Sequence, residues 1–125
     1  MVCSMEKNVE ILSVQQKLVI GQLLVLSATG EIFNHVDHDL PMWSGKGDRK
    51  ITVHIVFHAP FAAPPLVTLG LAGIDSAHNK NLRVWLVARD VAEAGFSLEC
   101  RTWGDTRIAR ASVSWHAIGQ VRSAD

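Results

Sequence analysis

The chain has no tyrosine, two cysteines, four prolines and no excess of charge of either sign. Each shortage excludes something. Twelve Lys and Arg balance twelve Asp and Glu, so no basic field exists to hold a phosphate backbone by counterion release, and no nucleic-acid partner is expected. No apolar run reaches the ~18–20 residues that span a bilayer, so membrane insertion is not expected either. Hydrophobic residues nevertheless make up 48%, too many for a disordered chain. Two cysteines permit at most one intrachain bridge. Cys3 lies in an N-terminal segment and Cys100 in an alternating apolar run, so a bridge and a buried thiol beside a terminal one both stay open.

What is present suits one domain. At 125 residues a fold buries roughly two-thirds of its unfolded surface, enough for a core without metal or disulfide staples. The apolar residues Leu18 to Leu26, followed by Ser27 and Ala28, resemble the apolar stretch of a secretion signal. However, Glu6, Lys7 and Glu10 before them mix both signs and Leu26 fits a cleavage site poorly, so the segment reads as a strand and the compartment stays open.

Apolar spacing follows a period of two. Ile51, Val53, Ile55 and Phe57 alternate with Thr52, His54, Val56 and His58. Leu82, Val84 and Leu86 alternate with Arg83, Trp85 and Val87, and Phe96, Leu98 and Cys100 with Ser97, Glu99 and Arg101. Ala109, Ala111, Val113, Trp115 and Ala117 alternate with Arg110, Ser112, Ser114 and His116. Such spacing turns one face of a strand to a core and the other outward. Pro60, Pro64 and Pro65, the polar run 78–81, Ala94-Gly95 and the segment 105–107 punctuate these runs. Strands are expected over 18–27, 50–58, 65–75, 82–92, 95–103 and 108–118. Only 5–17 offers a helix, through Met5, Val9, Leu12 and Gln16. The fold expected is all-β, a six-stranded antiparallel sandwich over 18–120, with an N-terminal segment (1–17, a short helix or extended arm) and a C-terminal tail (121–125).

Catalytic chemistry has little support. There is no Gly-x-Ser-x-Gly, His-Glu-x-x-His, phosphate loop or Cys-x-x-Cys. His35, Asp37 and Asp39 would share one face if 34–39 were extended, a mixed set zinc accepts, but a polar surface loop is the plainer expectation. His54 and His58 share a strand face about 13 Å apart, at about 3.3 Å per residue, too far for one metal. No enzyme activity, cofactor or metal is expected.

Binding is better supported. A sugar offers an apolar face and a rim of hydroxyls, which an aromatic plane and forked polar groups can meet. Trp103 ends a strand beside the turn Gly104-Asp105-Thr106. Arg83 opens another strand and carries a planar fork. The run 43–49, WSGKGDR, offers Asp48, with Lys46 competing for its place. Trp85 shares a face with Arg83 and Val87, and only Trp103 is expected to stack on a ligand. Each feature has a structural alternative: a core cap for Trp103, a salt bridge for Arg83, ordinary turns for Gly45 and Gly47.

Taken in order, these elements resemble an H-type lectin domain, the family of snail-agglutinin and discoidin C-terminal type. The resemblance runs from Trp43 to Gly119. Its carriers are Phe57 with Pro60, Phe61, Pro64 and Pro65, then Val67, Ile74-Asp75, Asn81-Leu82-Arg83 and Gly95-Phe96. Most specific is TWGDTRIARASVSWHAIG at 102–119. The resemblance implies a homotrimer with metal-free sites between protomers for galactose-type sugars, especially N-acetylgalactosamine. By matching motif, Arg83 would bond hydroxyls, Trp103 and Gly104 would line the sugar, and Asp48 would clamp a hydroxyl pair. Two positions depart from the family. Gly104 stands where members can carry a side chain such as His, and Ala109 where a neighbour's aromatic can close the site. Asp105 could compensate by accepting a hydroxyl, or could pair with Arg107. The expected partners are glycans, with a surface-facing role, and further copies of the chain; zero net charge suits a partner recognised by hydroxyl geometry. The alternative is an assembly or tip module that keeps the trimeric fold without sugar binding.

Overall fold

The computed structural model describes residues 3–7 and 14–123. Alternating apolar residues close into two facing four-stranded sheets. Among the described residues the strands are β1 (Cys3–Lys7), β2 (Gln16–Ile20), β3 (Leu23–Asn34), β4 (Arg49–Val56), β5 (Leu66–Ser76), β6 (Trp85–Arg89), β7 (Gly95–Thr102) and β8 (Ile108–Gln120), with one helical turn, α1 (Pro41–Ser44). One sheet runs β1-β4-β7-β6 and the other β2-β3-β8-β5. Every pair is antiparallel except β1 with β4. The six strands expected are present, the first of them divided between β2 and β3 and the others as β4 to β8, and β1 adds a parallel edge strand to its sheet.

Between the sheets lie Leu24, Leu26, Ile51, Val53, Ile55, Leu98, Val113 and Ala117, all buried. Trp115 sits at the centre with 0% exposure. The rings of Phe57 and Phe96 lie 5.7 and 5.6 Å from it, and Phe61 meets Phe57 edge-on at 5.2 Å. Among the described residues the Trp115 indole N–H has no acceptor, so packing alone holds this ring. Cys100 is a free, buried thiol in that core, and burial pushes its pKa up to about 12. It is therefore bridged to nothing, and the disulfide left open by the sequence is not formed.

Three local expectations are corrected. The strand expected over 18–27 is two strands, because Gly21 and Gln22 form a two-residue hairpin that pairs Ile20 with Leu23. Gly21 has φ +58, the positive angle that a type II′ turn needs at its first central residue. The helix expected over 5–17 is replaced where it is described: Met5 belongs to β1 and Gln16 to β2, while 8–13 lie outside the described residues. The strand expected over 82–92 runs only from Trp85 to Arg89. Upstream, the backbone finds hydroxyl donors instead of a ladder: Thr102 Oγ1 donates to Arg83 O and Thr106 Oγ1 to Asn81 O, both at 2.6 Å. Downstream, Asp90 turns the chain with φ +54.

Trp115→Ala removes the ring that joins the two sheets, and a loss of about 3–5 kcal/mol is expected. Urea unfolding followed by circular dichroism measures it.

Candidate functional site

At one end of the sandwich three irregular segments meet: residues 41–48, residues 77–84 and the turn 103–106. What joins the first of them to the turn 103–106 is Arg49, the first residue of β4, 2% exposed. Its Nε donates to Gly47 O at 2.9 Å. Its Nη1 donates to Pro41 O at 3.0 Å and Met42 O at 3.4 Å, and its Nη2 to Gly104 O at 3.2 Å. Four carbonyls from two segments thus surround one buried cation, which offsets the cost of taking it out of water. Gly45 has to be small here, since a Cβ would stand 2.6 Å from Pro41 O and 2.9 Å from Arg49 Cδ. Gly47 N–H completes the junction by donating to Gly104 O at 2.9 Å.

Against this junction lies Arg83. Its Nη1 donates to Asp105 Oδ1 at 2.8 Å and Thr106 Oγ1 at 3.1 Å. Its Nε and Nη2 have no hydrogen-bond partner among the described residues. The Arg83 hydrogen bond holds the Asp105 carboxyl below its ordinary value. Lys80 adds a weaker contact to the same carboxylate at 4.0 Å. Asp105 therefore pairs with Arg83, and the pairing with Arg107 is not made. Arg107 instead stacks over the Trp43 ring at 4.5 Å and donates to Trp43 O at 2.8 Å. Gly104 has φ +68, and a Cβ there would meet the Arg83 guanidinium at 3.0–3.2 Å. The space a side chain at 104 would take is filled by Arg83 itself.

On the other side of Trp103 opens a cleft of about 380 Å³, lined by Asp48, Arg49, Lys50, Trp85, Arg101, Thr102 and Trp103. That volume lies in the range of small-ligand sites. Trp103 is 41% and Trp85 60% exposed, so two indoles face solvent at one cleft. The five residues expected from the sequence fall into two adjoining groups: Arg83, Gly104 and Asp105 in one, Asp48 and Trp103 in the other. Ala109 is buried at 3%, and its carbonyl accepts the His35 and Val36 N–H groups.

The sequence missed Trp85, Lys50, Arg101 and Arg49. For Trp85 the signal was available: an indole on the outward face of an alternating strand needs a reason to be there. For Lys50 and Arg101 it was not, because only register places them side by side, with Trp85 next in the row.

The His35-Asp37-Asp39 cluster does not form. Residues 36–39 are a turn, not extended. His35 points inward, is 3% exposed, and its Nδ1 accepts the Met42 N–H at 3.0 Å. Asp37 accepts from Asn34 Nδ2 at 2.9 Å. Among the described residues no group of three or more His, Cys, Asp and Glu could hold a metal ion.

Arg49→Gln leaves carbonyls from both segments without their charged donor. A loss of more than about 2 kcal/mol is expected, since hydrogen bonds to a buried charge contribute about 1.5–3 kcal/mol. Thermal denaturation reads the loss, and a rise in Trp fluorescence quenching by iodide reads the loosened cleft.

Two structures of discoidin II from Dictyostelium discoideum superpose with a TM-score of 0.69 each, at 23% and 22% identity, covering 80% and 82% of this chain. The chain corresponds to only 38% and 39% of those proteins, and at such identity the likeness is one of fold. A relative from Fuscovulum blasticum, named ATP synthase subunits region ORF 7, is 43% identical over 81 residues, which are 65% of this chain and 70% of the relative. The profile of the H-type lectin domain matches residues 52–118. That span runs from within β4 to within β8, takes in both exposed tryptophans and Arg83, and makes the chain a member of the H-type lectin domain family.

Proposed function

We propose that the protein is a non-catalytic lectin that binds galactose-type sugars such as N-acetylgalactosamine and acts multivalently as a homotrimer. The observation that carries the proposal is the Arg83 fork. One nitrogen is anchored by Asp105 and Thr106, which leaves Nε and Nη2 oriented for neighbouring hydroxyls at little entropic cost. Trp103 supplies an exposed indole for the apolar face of the sugar, and Asp48 a carboxylate in the same cleft. Gly104, covered by Arg83, offers backbone rather than a side chain.

Assembly has a surface to be built on. Leu18, Val25, Ile118 and Leu66 stand in register across all four strands of the β2-β3-β8-β5 sheet. Three of them are 53%, 37% and 68% exposed, and Ile20 (63%) and Leu23 (43%) extend the row. A contiguous apolar face of this kind supports association with further copies of the chain. Linked sites raise apparent affinity about 10²–10⁴-fold on a surface that presents several glycans.

Arg83→Ala and Trp103→Ala are each expected to weaken sugar binding at least tenfold, or about 1.4 kcal/mol, on a glycan array and in titration with free N-acetylgalactosamine. Unchanged binding in both variants overturns the site. A blank array from a stably assembled protein favours the assembly module without sugar binding.

Leu66→Glu places a charge at the exposed end of the apolar row and is expected to shift the sedimentation coefficient from trimer to monomer. A wild-type protein that sediments as a monomer at the same concentration refutes the assembly.

A further inference from the structure

The cleft beside Trp103 carries more charge than a neutral sugar needs. On the outer face of the β1-β4-β7-β6 sheet, Glu99 is 5% exposed and is gripped by three cations. Arg101 donates to it through Nε at 3.0 Å and Nη2 at 2.8 Å, Arg89 through Nε at 2.9 Å, and Lys50 Nζ stands 3.6 Å from its second oxygen. Burial pushes the Glu99 carboxyl up. The hydrogen bonds from Arg101 and Arg89 and the charge of Lys50 outweigh burial, so its pKa lies below the ordinary carboxylate value and the group is an anion. Among the described residues no other carboxylate pairs with Lys50, Arg89 or Arg101. One negative charge therefore faces three positive ones.

Two of those cations, Lys50 and Arg101, line the cleft, with the exposed Trp85 beside Arg101 in the same cross-strand row. Asp48 at the mouth supplies one opposing carboxylate, and Glu6 stands at the register position opposite Thr52 in β1. Glu99 lies beneath the cations, which leaves their charge directed outward. A flat apolar surface next to uncompensated cations suits a sugar ring that bears an anionic group.

We infer that the cleft formed by Trp85, Lys50 and Arg101 takes an acidic saccharide unit, one carrying a carboxylate or a sulfate ester, next to the sugar held at Arg83 and Trp103. The inference rests on the lectin function proposed above and narrows its ligand class to anionic glycans. Trp85 packs on the ring, Lys50 meets the anion, and Arg101, held by Glu99, presents its remaining edge to the same group.

The test is a titration of the whole protein with matched oligosaccharides: one neutral and ending in N-acetylgalactosamine, one with an added sialic or uronic acid, one with an added sulfate ester. Both charged forms, or the one whose geometry fits, are expected to bind at least tenfold more tightly than the neutral form. The preference shrinks in 0.5 M salt because partly exposed charges are screened. Lys50→Gln and Trp85→Ala are each expected to reduce the charged-to-neutral ratio about tenfold; Lys50→Gln leaves Glu99 its two arginines, and a wild-type melting curve confirms that it folds. Equal binding of neutral and charged glycans overturns the inference and leaves the lectin function standing. Absence of binding to any glycan overturns both. Free sulfate or acetate that protects against thermal unfolding as well as the charged glycan does also overturns it, since the cleft is then a small-ion site.

Discussion

The buried guanidinium of Arg49 is the constraint on which the ligand-facing end of the molecule depends. A cation taken out of water must be surrounded by acceptors, and here Pro41, Met42, Gly47 and Gly104 bring carbonyls to it from two segments far apart in the chain. The segment 41–48 and the turn 103–106 are thereby held at fixed distance. Neither has a ladder of its own to do this. Asp48 and Trp103 reach one cleft because the residue behind them is charged and enclosed.

From that junction the polar organisation spreads in two directions. Toward 77–84, threonine hydroxyls replace strand pairing, and Arg83 lies over Gly104 with Asp105 and Thr106 at one nitrogen. Toward the outer face of the sheet, Lys50 continues the strand that Arg49 starts and joins Arg101 and Arg89 around Glu99. Successive residues of β4 thus serve opposite faces: Arg49 holds the loops from within, and Lys50 faces the cleft. An exposed ion pair would contribute little. The shielding of Glu99 makes its network firmer and leaves the outer cations available.

Much of the fold was legible. Period-two spacing located six strands, and the inward positions of Trp115, Cys100 and Phe96 follow from it directly. The departures have local causes. A glycine in an apolar run reads as part of a strand unless its φ is known, so Gly21 hid a hairpin. Side-chain hydroxyls competing for backbone carbonyls shortened the strand at Trp85, and nothing in the spacing of 82–92 signals that. Of the site, Arg83, Trp103, Gly104, Asp105 and Asp48 were named from motif order and residue chemistry. The partner of Asp105 was not, because Arg83 is twenty-two positions away and Arg107 only two.

By itself the sequence determined the class of fold, the face each alternating residue takes, and the family, because periodicity and motif order survive without coordinates. Its zero net charge suggested a neutral partner. Only the tertiary structure decided where the charges stand: strand register sets Lys50 beside Arg101, and burial sets Glu99 beneath them. A sum over the chain holds no information about separation, whereas Coulomb interaction depends on distance and local dielectric. A balanced composition can therefore carry a cationic cleft.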